Sequence, residues 1–175
     1  TIDNLVSSGK CDDNLSVGMH VRLKTDSNGK ISSVEYNDEL KGPASNVALD
    51  SNGNFTFEVF GVTVTTSNPE TQWKDFASTP PASIAEGKIV EVSGEWQGGS
   101  IIASYVEAQA NLTEFEVKGT VSNSDAAGFT LTLRDGGTIE VVASENPANG
   151  TFVEIKGTYD SINNVFTANK VEIED

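Results

Sequence analysis

The residues with catalytic potential are few, apart from a large number of carboxylates. The chain of 175 residues contains one histidine, His20, and one cysteine, Cys11. A Ser-His-Asp site would depend on His20, but no G-x-S-x-G segment is present to hold the serine on a nucleophile elbow. A single cysteine excludes an internal disulfide and a cysteine-rich zinc site.

The carboxylates by themselves do not indicate an active site. Asp and Glu number 26 against 11 Lys and Arg, which gives a net charge of −15. Paired carboxylates could hydrolyse a glycoside, but here they alternate with apolar residues, which is typical of the solvated face of a strand. No phosphate loop or dinucleotide fingerprint is present. We therefore expect a protein that is not an enzyme and has no cofactor and no metal.

Two aromatic residues in an irregular stretch are candidates for ligand binding. Trp73 and Phe76 lie within residues 68–85, between Pro69 and Pro80. Because proline cannot occupy a central strand, the stretch is predicted to be a loop. Its aromatic rings either close the core of a barrel or form a platform for a saccharide or a peptide.

A repeated segment organises the elements that must position these residues. Residues 87–94 read G-x-x-V-E-V-x-G and are followed by A-x-x-V-E at 103–107. The same pattern returns at 150–157 and 168–172, and a less regular copy lies near the start of the chain. Alternation predicts a strand in which the valines enter the core and Glu91 faces water. The final glycine is expected where the strand bends around a barrel corner.

Two further aromatic residues occupy matching positions in the repeats. Trp96 follows Gly94 by two residues, and Tyr159 follows Gly157 by the same distance. A recurring aromatic at one position favours packing between units. A role of Trp96 and Tyr159 in binding is the alternative.

The overall pattern predicts strands and tight turns. Val, Ile, Thr and Phe alternate with polar residues, and Gly, Asn, Asp and Ser recur at short intervals. The segments Asp26–Gly29 and Asp50–Gly53 are predicted as hairpin turns, since they lack the ligand spacing of a calcium loop. Five strands in a short unit favour a closed barrel of the OB type over a two-sheet sandwich. We predict an all-β fold of tandem small OB-like five-stranded barrels, with an incomplete N-terminal copy at 1–38 and full modules at 39–110 and 111–175.

The incomplete first copy is the main candidate for assembly. It contains only the last two strands of a unit, and a lone hairpin is barely stable and has edges that invite another strand. We expect it to dock on the adjacent module or to be completed by a strand from another subunit, which would permit filaments. Its apolar face is predicted to comprise Val17, Met19, Val21, Leu23, Ile31 and Val34.

The charge restricts the partners. A strongly acidic chain repels nucleic-acid phosphates and anionic membrane surfaces. No segment approaches the roughly 20 apolar residues of a membrane span. We expect self-association or contact with a neighbouring envelope protein, with a glycan as a further candidate, and neither nucleic-acid binding nor membrane insertion of this chain.

The order of the glycine and valine motifs resembles a family of unknown function. The sequence Lys41-Gly-Pro-Ala44 is followed by the stretch Phe55–Val64, by the 87–94 segment and by A-x-x-V-E at 103–107. This resembles tandem OB-like repeats of secreted or lipid-anchored bacterial proteins, over residues 40–175 and, as half a copy, over 1–36. The resemblance implies an extracellular, cell-surface or periplasmic protein. It brings no catalytic residues.

Overall fold

The computed structural model describes residues 15–110 and 114–174. Within them the chain forms thirteen strands and no helix. None of the described residues belongs to a helix long and apolar enough to cross a membrane. The strands are β1 (Val21–Thr25), β2 (Ile31–Tyr36), β3 (Leu40–Leu49), β4 (Phe55–Val59), β5 (Val62–Thr66), β6 (Gln72–Lys74), β7 (Ile89–Gln97), β8 (Ser100–Ala108), β9 (Phe115–Asp125), β10 (Gly128–Thr132), β11 (Thr138–Val142), β12 (Phe152–Asp160) and β13 (Val165–Ile173).

Strands β3, β4, β5, β8 and β7 close into the first barrel. Strand β3 pairs antiparallel with β4 on one side and with β7 on the other. Strand β5 follows β4 and then pairs in parallel with β8, which returns to β7. Every one of the five strands therefore has two neighbours, which leaves the barrel without an open edge along its wall.

The second barrel repeats this topology. Strands β9, β10, β11, β13 and β12 pair in the corresponding order, again with one parallel pair, β11 with β13. The predicted fold class, all-β with tandem OB-like barrels, is confirmed. Cys11 and the start of the first unit lie outside the described residues.

The glycine that ends the repeated segment lies at a bulge in each barrel. The register of β7 with β8 shifts between Ser93 and Gly94, and that of β12 with β13 shifts between Lys156 and Gly157. A Cβ on Gly94 would approach the carbonyl oxygen of Ile102 to 2.2 Å. No side chain fits there, so glycine permits the strand to bend tightly over its neighbour.

Alternating side chains of the strands fill the two barrels. Strands β4 and β5 bury every second residue, as the period of a strand requires. The fully enclosed side chains are mostly β-branched or aromatic, and the largest of them are Tyr105, Phe55, Phe57, Phe166, Leu40, Ile101 and Leu131.

The N-terminal hairpin forms a separate two-stranded sheet. Strands β1 and β2 pair antiparallel, with Leu23 opposite Val34. The turn between them forms as predicted, because Asp26 accepts backbone hydrogen bonds from Asn28 and Lys30 through its carboxylate. The hairpin corresponds in chain order to β7–β8 and β12–β13. It pairs with no other described strand.

Candidate functional site

The two barrels meet through their opening strands. Strands β3 and β9 pair antiparallel over a short stretch, with Leu40 opposite Val117 and Lys41 opposite Glu116. The sheets of the barrels are therefore continuous at this point. Both Leu40 and Val117 are buried, so the pairing lies inside the molecule.

A network of buried ion pairs surrounds this pairing. The Nζ atom of Lys41 lies 3.6 Å from a carboxylate oxygen of Glu91 and 3.1 Å from one of Glu116. In the second barrel, Lys118 lies 3.5 Å from Glu154. Lysines and glutamates of both barrels thus neutralise one another at a largely buried position, with side chains that are 10–18% exposed, where the loss of one partner is costly.

The glutamates of the repeated segment are therefore not solvent-facing, and the expectation that Glu91 faces water is wrong. Glu91 and Glu154 are each only 8% exposed. Burial raises the pKa of Glu91, and the charge of Lys41 opposes that rise. The wall of an isolated barrel would face solvent at this position. Here the second barrel and the segment before β3 cover it.

Glu116 links the two lysines at the centre of the network. It accepts a hydrogen bond from Lys156 at 2.7 Å and one from Lys41 at 3.1 Å. Burial alone would raise the pKa of Glu116, but these two ammonium groups lower it below its ordinary value. The same contacts raise the pKa of Lys156, against the effect of its own burial. Both groups are accordingly charged.

Asp38 brings the segment between the hairpin and β3 into the network. Burial, followed by the repulsion of Glu116, raises the pKa of Asp38 to about 7, and Lys118 partly offsets this. Lys118 donates hydrogen bonds to the carbonyl oxygen of Asp38 at 2.5 Å and to Oδ1 of Asn37 at 3.0 Å. The lysine therefore holds the end of the hairpin against the second barrel.

Three carboxylates of this network lie close enough together to suggest a metal ion. Oxygens of Asp38, Glu116 and Glu154 lie within 4.8 Å of one another. The ammonium groups of Lys118 and Lys156 already approach Glu154 to 3.5 and 3.1 Å. Because lysines supply the counter-charge, the cluster is an ion-pair network and gives no support for a metal centre.

Aromatic side chains complete the junction at both ends. The ring of Phe60, in the turn between β4 and β5, meets Tyr159 of the second barrel edge-on at 5.0 Å. At the other end, the guanidinium of Arg134 lies 5.8 Å from the ring centroid of Trp96. Trp96 also donates a hydrogen bond to Glu39 at 2.8 Å. Trp96 and Tyr159, the matching aromatics of the repeats, both lie between the barrels.

Phe60 has an unusual backbone conformation. Its φ is 54° and that of the next residue, Gly61, is 82°, as in the two-residue hairpin turns that favour Asn-Gly. A bulky residue at positive φ costs free energy. The contacts of the Phe60 ring with Tyr159, with Phe166 at 6.1 Å and with Phe115 at 6.5 Å offset this cost.

The hairpin contacts both barrels near its base. Ser104 of β8 donates a hydrogen bond to the carbonyl of Gly18 at 2.6 Å. Tyr36 meets Tyr105 edge-on, with ring centroids 6.4 Å apart. Arg22 forms an ion pair with Glu174 at the end of the second barrel. The hairpin thus lies across the junction.

The proposed assembly residues of the hairpin divide into two groups. Val34 is 3% exposed, and Met19 is half-buried. In contrast, Val17 is 82% exposed and Leu23 53% exposed, and both Val21 and Ile31 are also exposed. No described strand covers this second group, although the alternation of the sequence predicts a half-buried face.

Trp73 and Phe76 pack on each other and on the core of the first barrel. The ring of Trp73 meets Phe55 at 5.6 Å and Phe76 at 5.3 Å, edge-on in both cases. Trp73 lies on β6, which pairs with β8. Beside it, a cavity of about 300 Å³ is lined by Asn68, Pro69, Thr71, Gln72, Trp73, Thr79 and Pro80.

A family model matches the chain twice. The model, described as a domain of unknown function (DUF5666), matches residues 44–107 and again residues 108–172. The chain belongs to the DUF5666 family. The two DUF5666 copies coincide with the two barrels, and the hairpin β1–β2 lies outside both. The predicted tandem repetition of a domain of unknown function is thereby confirmed.

Other comparisons add little to the DUF5666 assignment. No curated protein matches the chain. One solved structure, described as "drosophila Unr CSD456", is 16% identical, with a TM-score of 0.30, and the match covers 90% of this chain and 76% of that chain. The pairing of the strands defines the fold of both DUF5666 copies.

The ion-pair network is the part of the site that sequence reasoning missed. A signal for it is present, because Lys41 and Lys118 each precede a glycine in equivalent opening strands. Glu91 and Glu154 likewise recur within the repeated segment. The alternation of these glutamates with apolar residues predicts a solvated face. Their recurrence at equivalent positions of the two DUF5666 copies marks instead charges that two adjoining barrels bury together.

Proposed function

We propose that the chain is a non-enzymatic structural or assembly protein of the bacterial cell surface or extracellular space. In this role the hairpin β1–β2 is the assembly element and accepts a strand from another subunit. The two barrels form its rigid base. The resemblance of the repeats to secreted and lipid-anchored bacterial proteins supports the location, which fractionation of cells expressing the full-length protein tests.

One observation carries the proposal: the hairpin combines free strand edges with uncovered apolar side chains. Neither β1 nor β2 pairs with another described strand, and edge strands present unpaired N–H and C=O groups that bind a further strand. Leu23 and Ile31 are exposed on the hairpin, and Val17 is exposed in the turn just before it. A protein whose net charge is −15 resists non-specific association, so exposed apolar side chains next to free strand edges favour a specific contact.

Because its base is docked on the barrels, the hairpin is suited to accept a strand from another subunit. A two-stranded hairpin alone is at best marginally stable in water. The contacts of Gly18 with Ser104, Tyr36 with Tyr105 and Arg22 with Glu174 fix its position before a partner arrives. A pre-ordered acceptor loses less conformational entropy on binding than a free one.

Sedimentation velocity over a wide range of concentrations tests the assembly role. We expect oligomers of the wild-type chain to grow with concentration, and we expect Leu23→Asp to weaken the association by about tenfold or more, since a buried charge without a partner is costly. Ile162→Asp is the matched control, because Ile162 is equally apolar and 92% exposed but lies in the β12–β13 turn. A wild-type chain that stays monomeric at every concentration contradicts the proposal.

A saccharide- or peptide-binding role at the Trp73/Phe76 loop is a second candidate. The cavity of about 300 Å³ beside Trp73 supports it, since aromatic rings at a concave surface are typical of small ligand sites. A panel of envelope glycans and peptides, read by the NMR shifts of the Trp73 indole, tests this role. Binding that Trp73→Ala removes and Trp96→Ala leaves intact supports it. Failure of every ligand to shift the indole signal contradicts it.

A further inference from the structure

The closing strands of the two barrels differ in how far other strands cover them. In the first barrel, β8 pairs with β7 along one side. Along its other side it pairs first with β5, at residues 101–103, and then with β6, at residues 105–107. The long connection between β5 and β7, residues 67–88, supplies this additional strand. Both sides of β8 are therefore covered by strands.

The corresponding strand of the second barrel, β13, lacks such an additional neighbour. It pairs with β12 along one side, and along the other side only residues 165–167 pair, with β11. The connection from β11 to β12, residues 143–151, is shorter and contains no strand. Among the described strands, none pairs with residues 168–173 on the side away from β12. This part of β13 is an open strand edge past the end of the closed barrel wall.

Burial shows that this end of the second barrel is less covered than its counterpart. Val106 and Val171 hold the same place in the A-x-x-V-E pattern of the two barrels. Val106 is fully buried, whereas Val171 is only half-buried. The alanines of the pattern differ in the same way, since Ala103 is buried and Ala168 is half-buried. The open edge therefore adjoins apolar surface that a further strand would cover.

Strand β6 shows which chemistry fits such an edge. Trp73 lies opposite Val106 in the parallel pairing, and its ring meets Phe55 of the barrel core at 5.6 Å. The next residue, Lys74, lies opposite Glu107 and places its Nζ atom 3.3 Å from the carboxylate. An aromatic residue followed by a basic one thus holds an extended segment on β8.

The open edge of β13 presents the same two partners to an incoming segment. Val171 is the equivalent of Val106, and Glu172 is the equivalent of Glu107. The carboxylate of Glu172 contacts Lys170 of its own strand at 2.8 Å, but the two side chains are 40% and 56% exposed. An ion pair this exposed contributes little to stability, so Glu172 can exchange it for a contact with another cation.

We infer that residues 168–173 of β13 form a binding site for an extended peptide segment of another protein. The segment adds to the sheet parallel to β13, as β6 adds to β8, with an aromatic residue opposite Val171 and a basic residue opposite Glu172. Main-chain hydrogen bonds along the edge supply affinity, and these two side chains of the segment supply specificity. The net charge of −15 attracts a basic segment.

The occupant of this edge is a separate protein rather than a second copy of this chain. Trp73-Lys74 is the only place in the sequence where an aromatic residue directly precedes a lysine or an arginine. That segment already lies on β8 of its own barrel, so a second copy has no free segment of this kind to offer. The site is on a different strand from the hairpin and does not depend on the proposed function.

A synthetic peptide with the sequence of residues 71–76, blocked at both ends, is the probe. It is titrated into the isotope-labelled full chain and followed by NMR. We expect the amide signals of residues 168–173 to shift, and we expect a probe carrying Trp73→Ala to bind about tenfold more weakly. Shifts limited to β8, where the probe would displace β6, overturn the inference. So does the absence of any shift at millimolar probe.

A charge exchange tests the register of the added segment. Glu172→Lys should weaken binding of the probe by about threefold, and it should favour a probe that carries Lys74→Glu instead. Glu95→Lys is the matched control, because Glu95 is exposed on β7 of the first barrel and its reversal changes the net charge equally. Equal effects of the two variants would show that only the net charge matters, which overturns the inference.

A loop graft and a self-titration test the other possible occupants. A chain in which residues 67–86 replace residues 144–149 gains a copy of β6 on its second barrel and should no longer bind the probe. Retained binding would place the probe elsewhere and overturn the inference. Unlabelled chain that shifts the amides of residues 168–173 would identify a second copy as the occupant, which also overturns it. Leu23→Asp should leave probe binding unchanged, so failure of the hairpin proposal is distinguishable from failure here.

Discussion

The junction between the barrels and the attachment of the hairpin join neighbouring units in different ways. At the junction, opening strands pair, five lysine–glutamate contacts are largely screened from solvent, and aromatic rings close both ends. The hairpin and the residues that flank it are attached through hydrogen bonds from Ser104, Ser93 and Lys118, a tyrosine pair and the Arg22–Glu174 ion pair. At the junction, the contact surface of each barrel is covered by the other barrel. The attachment of the hairpin leaves strand edges and apolar side chains of the hairpin available.

Removal of a junction lysine is expected to have the largest effect. Lys118→Met removes one of the two ammonium groups beside Glu154 and the hydrogen bonds to Asn37 and Asp38, which should lower the free energy of unfolding by about 3 kcal/mol. Lys24→Met is the hairpin control, because the side chains of Lys24 and its partner Glu35 are 58% and 46% exposed. Its effect should stay within about 0.5 kcal/mol. Chemical denaturation at low protein concentration measures both, and equal effects would remove the distinction between the two regions.

The pH dependence of stability is expected to centre on Asp38. Because the pKa of Asp38 is raised to about 7 in the folded state, the folded chain keeps a proton on this carboxylate at pH values where the unfolded chain has already lost it. Above pH 7 the ionised carboxylate of Asp38 therefore destabilises the fold. This destabilisation decreases as the pH falls below 7 and is lost near the ordinary pKa of an aspartate, about 4. Asp38→Asn should raise stability by roughly 2 kcal/mol at pH 8, allowing for partial relaxation of the site.

Thermal melts of Asp38→Asn and of the wild type at pH 5 and pH 8 check this expectation. The difference between the two proteins should be clearly smaller at pH 5 than at pH 8, because most of the titration of Asp38 lies between these values. Asp26→Asn serves as a control, since Asp26 lies in the exposed turn of the hairpin. A difference for Asp38→Asn that is independent of pH would show that its carboxylate is ionised throughout.

The smallest effect is expected from the contact that anchors the hairpin. Arg22→Ala removes the ion pair with Glu174, in which the Arg22 side chain is 38% exposed, so global stability should change by less than about 1 kcal/mol. Amide hydrogen exchange in β1 and β2 should nevertheless accelerate, because the hairpin loses an anchor while both barrels keep theirs. Acceleration within β9 or β12 would contradict the separation of the two regions.

Much of the fold could be predicted from the sequence, because the barrels depend on local patterns. Each local structure is predicted by a few neighbouring residues. Alternating apolar residues predict strands, Asp-x-Asn-Gly segments predict turns, and the glycines Gly94 and Gly157 predict bends of the strand. The OB-like topology follows from the number and order of the strands. Periodicity therefore sufficed for the barrels.

The junction could not be predicted in the same way. The two-residue period of β7 places Glu91 on the outer face of its own barrel, away from the core, and that part of the prediction is correct. What covers its outer face depends on how the second barrel pairs with β3, which no local pattern specifies. For the same reason, no local pattern marks Phe60 as a residue of the junction. Its ring reaches residues about a hundred positions away in the sequence.

A double-mutant cycle between Phe60 and Tyr159 tests most directly the claim that the two barrels form one packed unit. The free energy of unfolding is measured for the wild type, Phe60→Ala, Tyr159→Ala and the double variant. Because the rings meet edge-on at 5.0 Å across the junction, we predict a coupling free energy of about 1 kcal/mol. A coupling indistinguishable from zero would contradict the claim and leave the barrels as independent modules.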